Sequence, residues 1–313
     1  MAEEKKIYYK AITNDWKDPD KGSMKTRITK NENNRSVPHP FMKWAGGKRQ
    51  LISQMKTYLP KRFNNYIEPF VGGGALFFYL YRKNLIRNNA YLIDNNAELI
   101  NAYRVVRDEL DDLIDKLKEH RNEKSYYYKI RALDREPDAY NQLSNVFKAS
   151  RIMYMNRCCF NGLYRVNSKG QFNVPFGRYK NPNFCDEENL KAVSKALQNV
   201  EIINGSFQSC VKLAKKGDLV YFDPPYHPLS ETSSFTSYTK DDFTLENQRE
   251  LFEIFTELDN KGCRLMLSNS YSEFILRLYA NYNIRTLTAK RAINSNADKR
   301  GAIKEVLILN YDG

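Results

Sequence analysis

The sequence predicts an α/β fold, in which a doubly wound parallel sheet is interrupted by a helical insert that carries a β-hairpin. Short apolar runs such as 66–69 and 219–222 are bounded by turns, as buried strands are. Helical periodicity alternates with these runs near both ends of the chain. Between Ala97 and Arg157 the helical pattern continues without a strand.

The first half of the sheet follows a strand, turn, helix, strand order. Residues 1–36 are polar and mixed in charge, so we expect a flexible extension there. The predicted elements are a strand at Tyr66–Pro69, a tight turn at Gly72–Gly74, a helix starting at Ala75–Tyr81 and a strand at Tyr91–Ile93 that ends at Asp94.

The insert and the second half of the sheet follow. Leu163–Asn167 and Gln171–Val174, joined by Ser168-Lys169-Gly170, predict a hairpin. The remaining predictions are a helix at Leu245–Asn260 and strands at Leu219–Phe222, Arg264–Ser268, Ile284–Leu287 and Val306–Asn310. Residues 37–96 and 201–313 would then form one sheet domain, with 97–200 as the inserted domain.

Composition excludes several classes of protein. No apolar stretch of the 313 residues is long enough to span a membrane, and the N-terminus lacks the apolar core of a signal peptide. We therefore expect a cytoplasmic protein with no membrane partner. The five cysteines show no C-x-x-C spacing and the three histidines are far apart, so we expect neither a disulfide framework nor a metal site.

A basic stretch lies within the insert. The net charge is +13, and the segment 139–185 contains no Asp or Glu. Its cations are Lys148, Arg151, Arg157, Arg165, Lys169, Arg178 and Lys180. The alternative is an ordinary solvated face, but a run this free of acids favours a surface that meets phosphates.

Glycines follow the first predicted strand in Glu68-Pro69-Phe70-Val71-Gly72-Gly73-Gly74. Such a turn lets the backbone approach a ligand, although an ordinary tight turn has the same composition. Asp94 ends the next strand, where nucleotide-binding folds place an acid on ribose hydroxyls. The alternative for Asp94 is a helix N-cap. Together these features suggest a ligand that carries adenosine without pyrophosphate, such as S-adenosylmethionine.

Asp223-Pro224-Pro225-Tyr226 directly follows the apolar run that ends at Phe222. The carboxyl end of a strand is where open α/β sheets bind ligands. The Asp223 carboxylate and the Pro224 carbonyl are two acceptors that suit a planar amino group with two hydrogens, and Tyr226 offers a face for stacking a base. The alternative is a structural Pro-Pro loop, in which the tyrosine only packs.

These motifs, in this order, resemble the Dam-like family of DNA adenine methyltransferases, the α-class, over about residues 40–311. The resemblance rests on the segment 41–48, Phe-Met-Lys-Trp-Ala-Gly-Gly-Lys, the glycine loop 68–74, Leu92-Ile93-Asp94 and the motif 223–226. It implies a Rossmann-like class I S-adenosylmethionine-dependent sheet with an inserted target-recognition domain. The implied cofactor contacts are Trp44, Lys48, Glu68, Phe70, Gly72, Gly74, Asp94 and Asp223.

The resemblance also implies residues that contact DNA, since 160–165 and 172–179 are similar to the family's recognition hairpin. Arg165 would read a guanine, Lys43 would help to read the outer guanine, and Asn161, Leu163 and Pro175 would address neighbouring bases. Phe160 and Tyr179 would insert into the base stack, and Arg178 belongs to the same segment. The alternative is a surface arm with ordinary cross-strand pairs. Segments 229–239 and 290–300 are candidates for backbone contacts or solvated loops.

The implied function is methylation of the adenine 6-amino group in duplex DNA, with GATC as the expected site and base flipping as the route to it. We expect a monomer, with a cognate GATC restriction endonuclease acting on the same site without a stable complex. The alternatives are amino-methylating enzymes with other targets, such as cytosine or protein glutamine, and a DNA-binding regulator that retains a cofactor fold.

Overall fold

The computed structural model describes residues 37–44, 46, 48–228, 243–290 and 302–312. The expected extension 1–36 lies outside the described residues, as do nearly all of the candidate contact segments 229–239 and 290–300. Among the described residues, no helix is long and apolar enough to cross a membrane.

Within the described ranges, seven strands form a single sheet in the order β3-β2-β1-β4-β5-β7-β6. Their bounds are β1 Tyr66–Glu68, β2 Ala90–Asp94, β3 Val200–Asn204, β4 Leu219–Phe222, β5 Arg264–Ser270, β6 Asn283–Lys290 and β7 Ala302–Leu309. Strands β1 to β5 pair in parallel, whereas β7 lies antiparallel between β5 and β6. The last two strands thus depart from the parallel prediction, because antiparallel neighbours need no helical crossover between them.

Eleven α-helices lie among the described residues. Their bounds are α1 Ile52–Met55, α2 Ala75–Arg82, α3 Ala97–Asp108, α4 Leu110–Lys118, α5 Lys124–Ala132, α6 Pro137–Asn141, α7 Asn145–Cys158, α8 Glu187–Leu197, α9 Ser209–Leu213, α10 Leu245–Asn260 and α11 Glu273–Leu278. The strands predicted for the sheet, the helix at 245–260 and the helical character of 97–157 are confirmed, whereas the two strands predicted for the hairpin, 163–167 and 171–174, do not form as extended strands.

Both faces of the sheet are covered. In β4, Leu219 and Tyr221 belong to the core on one face, and Val220 and Phe222 to the core on the other. All four are buried, which explains why a parallel strand appears in the sequence as a continuous apolar run.

The insert is joined to the sheet by packing and by hydrogen bonds. Arg104 of α3 donates two hydrogen bonds to the carbonyl of Ile202, and Arg107 donates one to the carbonyl of Val200. Buried residues of the insert and of the sheet form one hydrophobic cluster. The proposed domain boundary at residue 97 therefore crosses a continuous core.

The predicted hairpin is present, but it is held by isolated bridges rather than by extended strands. Val166 bridges Phe172, and the N–H of Asn173 donates to the carbonyl of Arg165 at 3.0 Å. A second bridge joins Cys159 to Phe176. The segment 171–176 thus runs back along the end of α7.

The sheet reverses its direction of growth between β1 and β4. These strands are neighbours, with Tyr66 opposite Leu219 and Ile67 opposite Val220. The chain continues outward from β1 through β2 and β3, and from β4 to β5 on the other side. The loops after β1 and β4 therefore meet at a topological switch point, where open α/β sheets bind ligands.

Candidate functional site

The loop after β4 places Asp223 beside a buried lysine. The Lys48 ammonium lies 2.8 Å from Asp223 Oδ1, and the Lys48 side chain is 5% exposed. It also donates to the carbonyl of Gly46 at 2.7 Å and lies 4.5 Å from the centre of the Tyr226 ring. Without the family resemblance, Lys48 would be interpreted as a surface charge. The structure instead makes it the counter-ion of Asp223.

Burial raises the pKa of Asp223 to about 6, although the Lys48 charge acts in the opposite direction. The carboxylate of Glu305 adds to the rise, since a second negative charge disfavours ionisation. Asp223 is therefore ionised at neutral pH and becomes protonated in mild acid. An ionised Asp223 is an acceptor only, as required for holding an amino group.

Tyr226 is held at its hydroxyl by a residue of β7. The hydroxyl donates to Glu305 Oε2 of β7 at 2.7 Å. Burial and the nearby carboxylates keep the pKa of Tyr226 well above its ordinary value, so the hydroxyl remains a donor. The ring is therefore fixed between Glu305 and Lys48.

Two buried amides support the loop from below. Gln248 of α10 donates to the carbonyl of Pro225 at 3.0 Å and accepts from the Asn269 amide at 3.0 Å. Asn269 of β5 in turn accepts from the N–H of His227 at 3.1 Å. Because both amides are at most 1% exposed, this connection fixes the backbone on both sides of Tyr226.

The loop after β1 and the end of β2 are bonded to each other. Asp94 Oδ2 accepts from the N–H of Gly72 at 3.1 Å, and Oδ1 accepts from the N–H of Asn96 at 3.0 Å. The N-cap alternative for Asp94 is wrong, because the side chain of Asn96 caps α3 by accepting from the N–H of Leu99. Burial raises the pKa of Asp94, with the two backbone donors opposing the rise.

Trp44 lies against the glycine loop. A Cβ on Gly72, whose φ is +46°, would lie only 2.7 Å from Trp44 Cδ1, so this position requires glycine. On its other side Trp44 stacks on Tyr164 at the base of the hairpin, with ring centres 5.1 Å apart. Trp44 therefore joins the glycine loop to the inserted segment.

Glu68 and Phe70 lie at the start of the same loop, but they differ in burial and in their contacts. Glu68 is 2% exposed and accepts from the Tyr66 hydroxyl at 2.9 Å, and burial raises its pKa well above the ordinary value. Phe70 is half-buried and stacks on Phe207 at 5.3 Å. The loop then ends at Gly74, which precedes the first residue of α2.

Several predicted DNA contacts meet just beyond the C-terminal end of α7. The ammonium of Lys43 lies 5.2 Å from the centre of the Tyr179 ring, and the Tyr179 hydroxyl accepts from the N–H of Asn161 at 3.1 Å. Phe160 is 52% exposed, an unusual state for a large apolar side chain. Leu163 follows this turn and is half-buried.

The hairpin brings the other predicted contacts to the same region. Arg165 Nε donates to Asn173 Oδ1 at 2.6 Å, which orients the guanidinium. Pro175 is exposed, and its carbonyl accepts from the N–H of Phe160 at 2.8 Å. Arg178 is exposed with a φ of +56°, which is uncommon for arginine and redirects the chain at this point.

The prediction of a basic surface is wrong for Arg151. This side chain is 1% exposed, lies 2.9 Å from Asp134 Oδ2 and donates to the carbonyls of Ile130 and Arg131. A buried guanidinium needs such partners, and they come from a preceding part of the chain that contains acids. Arg151 therefore stabilises the insert internally.

Comparison with known proteins identifies the family. A model described as D12 class N6 adenine-specific DNA methyltransferase matches residues 44–293. The type II methyltransferase M1.LlaDCHI of Lactococcus lactis subsp. cremoris is 47% identical over 284 residues, which cover 90% of this chain and 98% of that protein. The chain belongs to the D12 class of N6 adenine-specific DNA methyltransferases.

Two further relatives agree with this. The type II methyltransferase M.MjaIII of Methanocaldococcus jannaschii is 46% identical over 292 residues, covering 87% of this chain and 99% of that protein. The DNA adenine methylase of Haemophilus influenzae is 34% identical over 277 residues, covering 86% and 93%. The predicted family, α/β fold and adenine-directed DNA methyltransferase activity are thus confirmed.

The sequence left several residues of this methyltransferase unassigned, namely Asn156, Tyr164, Gln248, Asn269 and Glu305. Each of them contacts a predicted site residue, or the backbone next to one, from a distant part of the chain. Asn269 alone carries a sequence signal, because it directly follows the strand predicted at 264–268. Polar residues at the carboxyl end of such a strand are candidates for the ligand-binding edge.

Proposed function

We propose that this methyltransferase moves a methyl group from S-adenosylmethionine to the 6-amino group of an adenine flipped out of a GATC site. The observation that carries this proposal is the position of Asp223. Its carboxylate lies at the switch point of the sheet, paired with Lys48 and adjacent to the glycine loop of β1. The acceptor for the amino group and the candidate cofactor loop thus share one edge of the sheet.

The residues around the glycine loop suit an adenosine-bearing cofactor. Each oxygen of Asp94 accepts one backbone N–H, and a carboxylate oxygen has a second lone pair for a ribose hydroxyl. Trp44 and Phe70 supply aromatic surfaces beside the loop, which bends at Gly72. We assign the cofactor to this site, with Gly74 at the start of α2.

Bound S-adenosylmethionine supplies an electrophilic methyl group. The Asp223 carboxylate accepts a hydrogen bond from one N–H of the adenine amino group, and a proline carbonyl accepts a hydrogen bond from the other N–H. We assign this second role to Pro224, which directly follows Asp223, while Gln248 fixes the next carbonyl, that of Pro225. Holding both hydrogens directs the nitrogen lone pair out of conjugation with the ring, so that it can attack the methyl group as the bond from that group to sulfur breaks. The amino group becomes acidic as the new bond forms, and the Asp223 carboxylate, already bonded to one of its hydrogens, is placed to accept the proton. Lys48 keeps Asp223 ionised during this step. We assign this as its main role, in place of the cofactor contact that the family resemblance implies.

Flipping the adenine costs a few kcal/mol of lost pairing and stacking. Stacking on Tyr226 and the two hydrogen bonds to the amino group offset this cost. Lys48 lies over one face of the Tyr226 ring, so we assign the opposite face to the adenine. The bond to Glu305 keeps the ring from rotating away.

We propose that residues 97–200 form the target-recognition domain and that residues 37–96 and 201–313 form the catalytic domain. Arg165 reads a guanine with its terminal amino groups while Asn173 holds Nε. Lys43 contacts the outer guanine, and Asn161, Leu163 and Pro175 contact neighbouring bases. Phe160 and Tyr179 insert beside them, and Arg178 binds the backbone.

The wider setting follows from the same family. We propose that the enzyme acts in the cytoplasm as a monomer and protects GATC sites from a cognate restriction endonuclease without forming a stable complex with it. The support is that two relatives are named type II methyltransferases.

Expression in a host without DNA methylation tests the proposal. We expect N6-methyladenine at GATC on both strands when modified bases are mapped across the genome. Expression of the Asp223→Ala variant controls for background modification. Methylation confined to another sequence would refute the GATC assignment alone, whereas methylation by the control variant would refute the role of Asp223.

A further inference from the structure

The side chain of Asn156 connects two segments that are far apart in sequence. It lies near the end of α7 and is fully buried. Its Oδ1 accepts from the N–H of Lys43 at 2.8 Å, and its Nδ2 donates to the carbonyls of Lys43 at 2.8 Å and Gly162 at 3.1 Å. Both donors of the amide are therefore used, one on each segment.

The two segments are also in direct contact above this amide. Gly162 has a φ of +64°, and a Cβ there would overlap the side chain of Lys43. Lys43 then reaches over the Tyr179 ring, whose hydroxyl accepts from the N–H of Asn161. Lys43, Asn161 and Tyr179 are thus placed against one another, and Asn156 bonds to the backbone of both segments that carry Lys43 and Asn161.

Such an amide restricts geometry strongly. Leaving a buried carbonyl or N–H without its partner is costly, so the two segments cannot separate without losing several bonds at once. Reading a base edge depends on the distance and angle of the reading group. Lys43 and the 160–163 turn must therefore keep one relative position for both to fit the same stretch of DNA.

We propose that Asn156 is a positioning residue for sequence recognition, which sets Lys43 against the 160–163 turn so that together they read the target. This inference rests on the proposed function, in which Lys43 contacts the outer guanine. Asn156 itself is buried and acts through the two segments that it holds.

The chain contains a matched control. Asn189 of α8, 1% exposed, makes the same two-way bond to His39, accepting from its N–H at 3.0 Å and donating to its carbonyl at 3.1 Å. His39 lies on the same N-terminal segment as Lys43, and neither it nor Asn189 is a predicted DNA contact. Substituting Asn189 removes the same kind of amide–backbone hydrogen bond from the N-terminal segment, but at His39 instead of Lys43.

The test compares Asn156→Asp with Asn189→Asp. Each substitution keeps the size and the acceptor but places a carboxylate oxygen against a backbone carbonyl. The measurement is kcat/KM on the cognate duplex relative to duplexes with the outer guanine replaced. We expect Asn156→Asp to lower this discrimination ratio about tenfold, because a good base contact is worth that much or more. Asn189→Asp should leave the ratio unchanged.

The ratio comes from one enzyme preparation, so a loss of folded protein cancels. Gly162→Ala provides a second route if Asn156→Asp does not fold, since the added methyl displaces Lys43 without removing a buried amide. We expect Gly162→Ala to lower the discrimination ratio at the outer guanine as well. An unchanged ratio in the folded variants, or an equal fall in Asn189→Asp, would overturn the inference.

Lys43→Ala separates this inference from the proposed function. If it relaxes the outer guanine, the assignment of Lys43 stands, and Asn156→Asp must relax the same position. If Lys43→Ala relaxes no position, that assignment fails. The inference is then tested with duplexes altered at the bases that the 160–163 turn reads. For these duplexes, Asn156→Asp must lower the discrimination ratio more than Asn189→Asp does.

Discussion

Replacing Lys48 with methionine tests the electrostatics of the catalytic loop. The substitution removes the ammonium 2.8 Å from Asp223 Oδ1 while retaining most of the apolar stem. At this distance and an effective dielectric constant of about 20, Coulomb's law gives an attraction of about 6 kcal/mol, which is an upper bound. Water and neighbouring dipoles reorganise around the carboxylate, so the expected effect is the one to three pH units by which a close opposite charge typically moves a carboxyl pKa.

The direction follows from the charge. Removing a positive neighbour disfavours the ionised carboxylate, so the pKa of Asp223 rises from about 6 to above neutrality. In the native enzyme, we expect activity to fall as the pH drops through about 6, because a protonated Asp223 loses acceptor capacity. In Lys48→Met the same fall should occur at a pH about one to three units higher.

Two measurements follow the shift. The pH dependence of kcat/KM for duplex DNA reports the group before the duplex binds. Titration of ¹³C-labelled aspartate carboxyls by NMR measures the pKa of Asp223 in the absence of turnover. The Asp223→Asn variant serves to assign the signal. Lys43→Met is the control, because it removes an exposed lysine from the same segment and should lower activity without moving the acidic limb. An Asp223 midpoint that stays near 6 in Lys48→Met would refute this account.

The other predictions concern separate parts of the site. Asp223→Ala should abolish methyl transfer yet keep duplex affinity within about tenfold, as filter binding and a tritiated-methyl assay would show, and residual transfer would contradict the assignment. Arg165→Ala should cost about 1–3 kcal/mol of discrimination at one guanine, measured by methylation sequencing, and an unaltered site preference would count against it. Gly72→Ala should weaken S-adenosylmethionine binding several-fold in calorimetry, because the new Cβ would lie 2.7 Å from Trp44 Cδ1. Gly170→Ala is its control, with a similar φ of +75° and open space around it, and equal affinities would refute the contact argument.

The sequence was sufficient to predict those structural features that are formed by consecutive residues. The apolar run 219–222 predicted β4 because a strand buried on both faces needs no polar alternation. The glycine loop and the Asp223 motif were identified because each directly follows such a strand. The turn chemistry at 168–170 predicted the hairpin, although only isolated bridges hold its strands.

Charge and burial could not be predicted in the same way. Arg151 and Arg165 lie in one basic run, yet Arg151 is buried against Asp134 while Arg165 extends from the hairpin with Asn173. Lys48 looks like a surface lysine until the loop after β4 folds over it. Exposure is a property of the packed chain, so a one-dimensional charge count cannot separate these cases.

The sequence by itself determined the fold class and the family and supplied the prediction of the reacting groups, since these depend on short motifs and on the period of apolar residues. The tertiary structure alone decided that β4 pairs with β1, which brings Asp223 to the glycine loop. It also decided which distant side chains hold the site, among them Glu305 on Tyr226 and Asn156 on Lys43. A hydrogen bond across a hundred residues has no local pattern, because its geometry exists only once both strands and helices have packed.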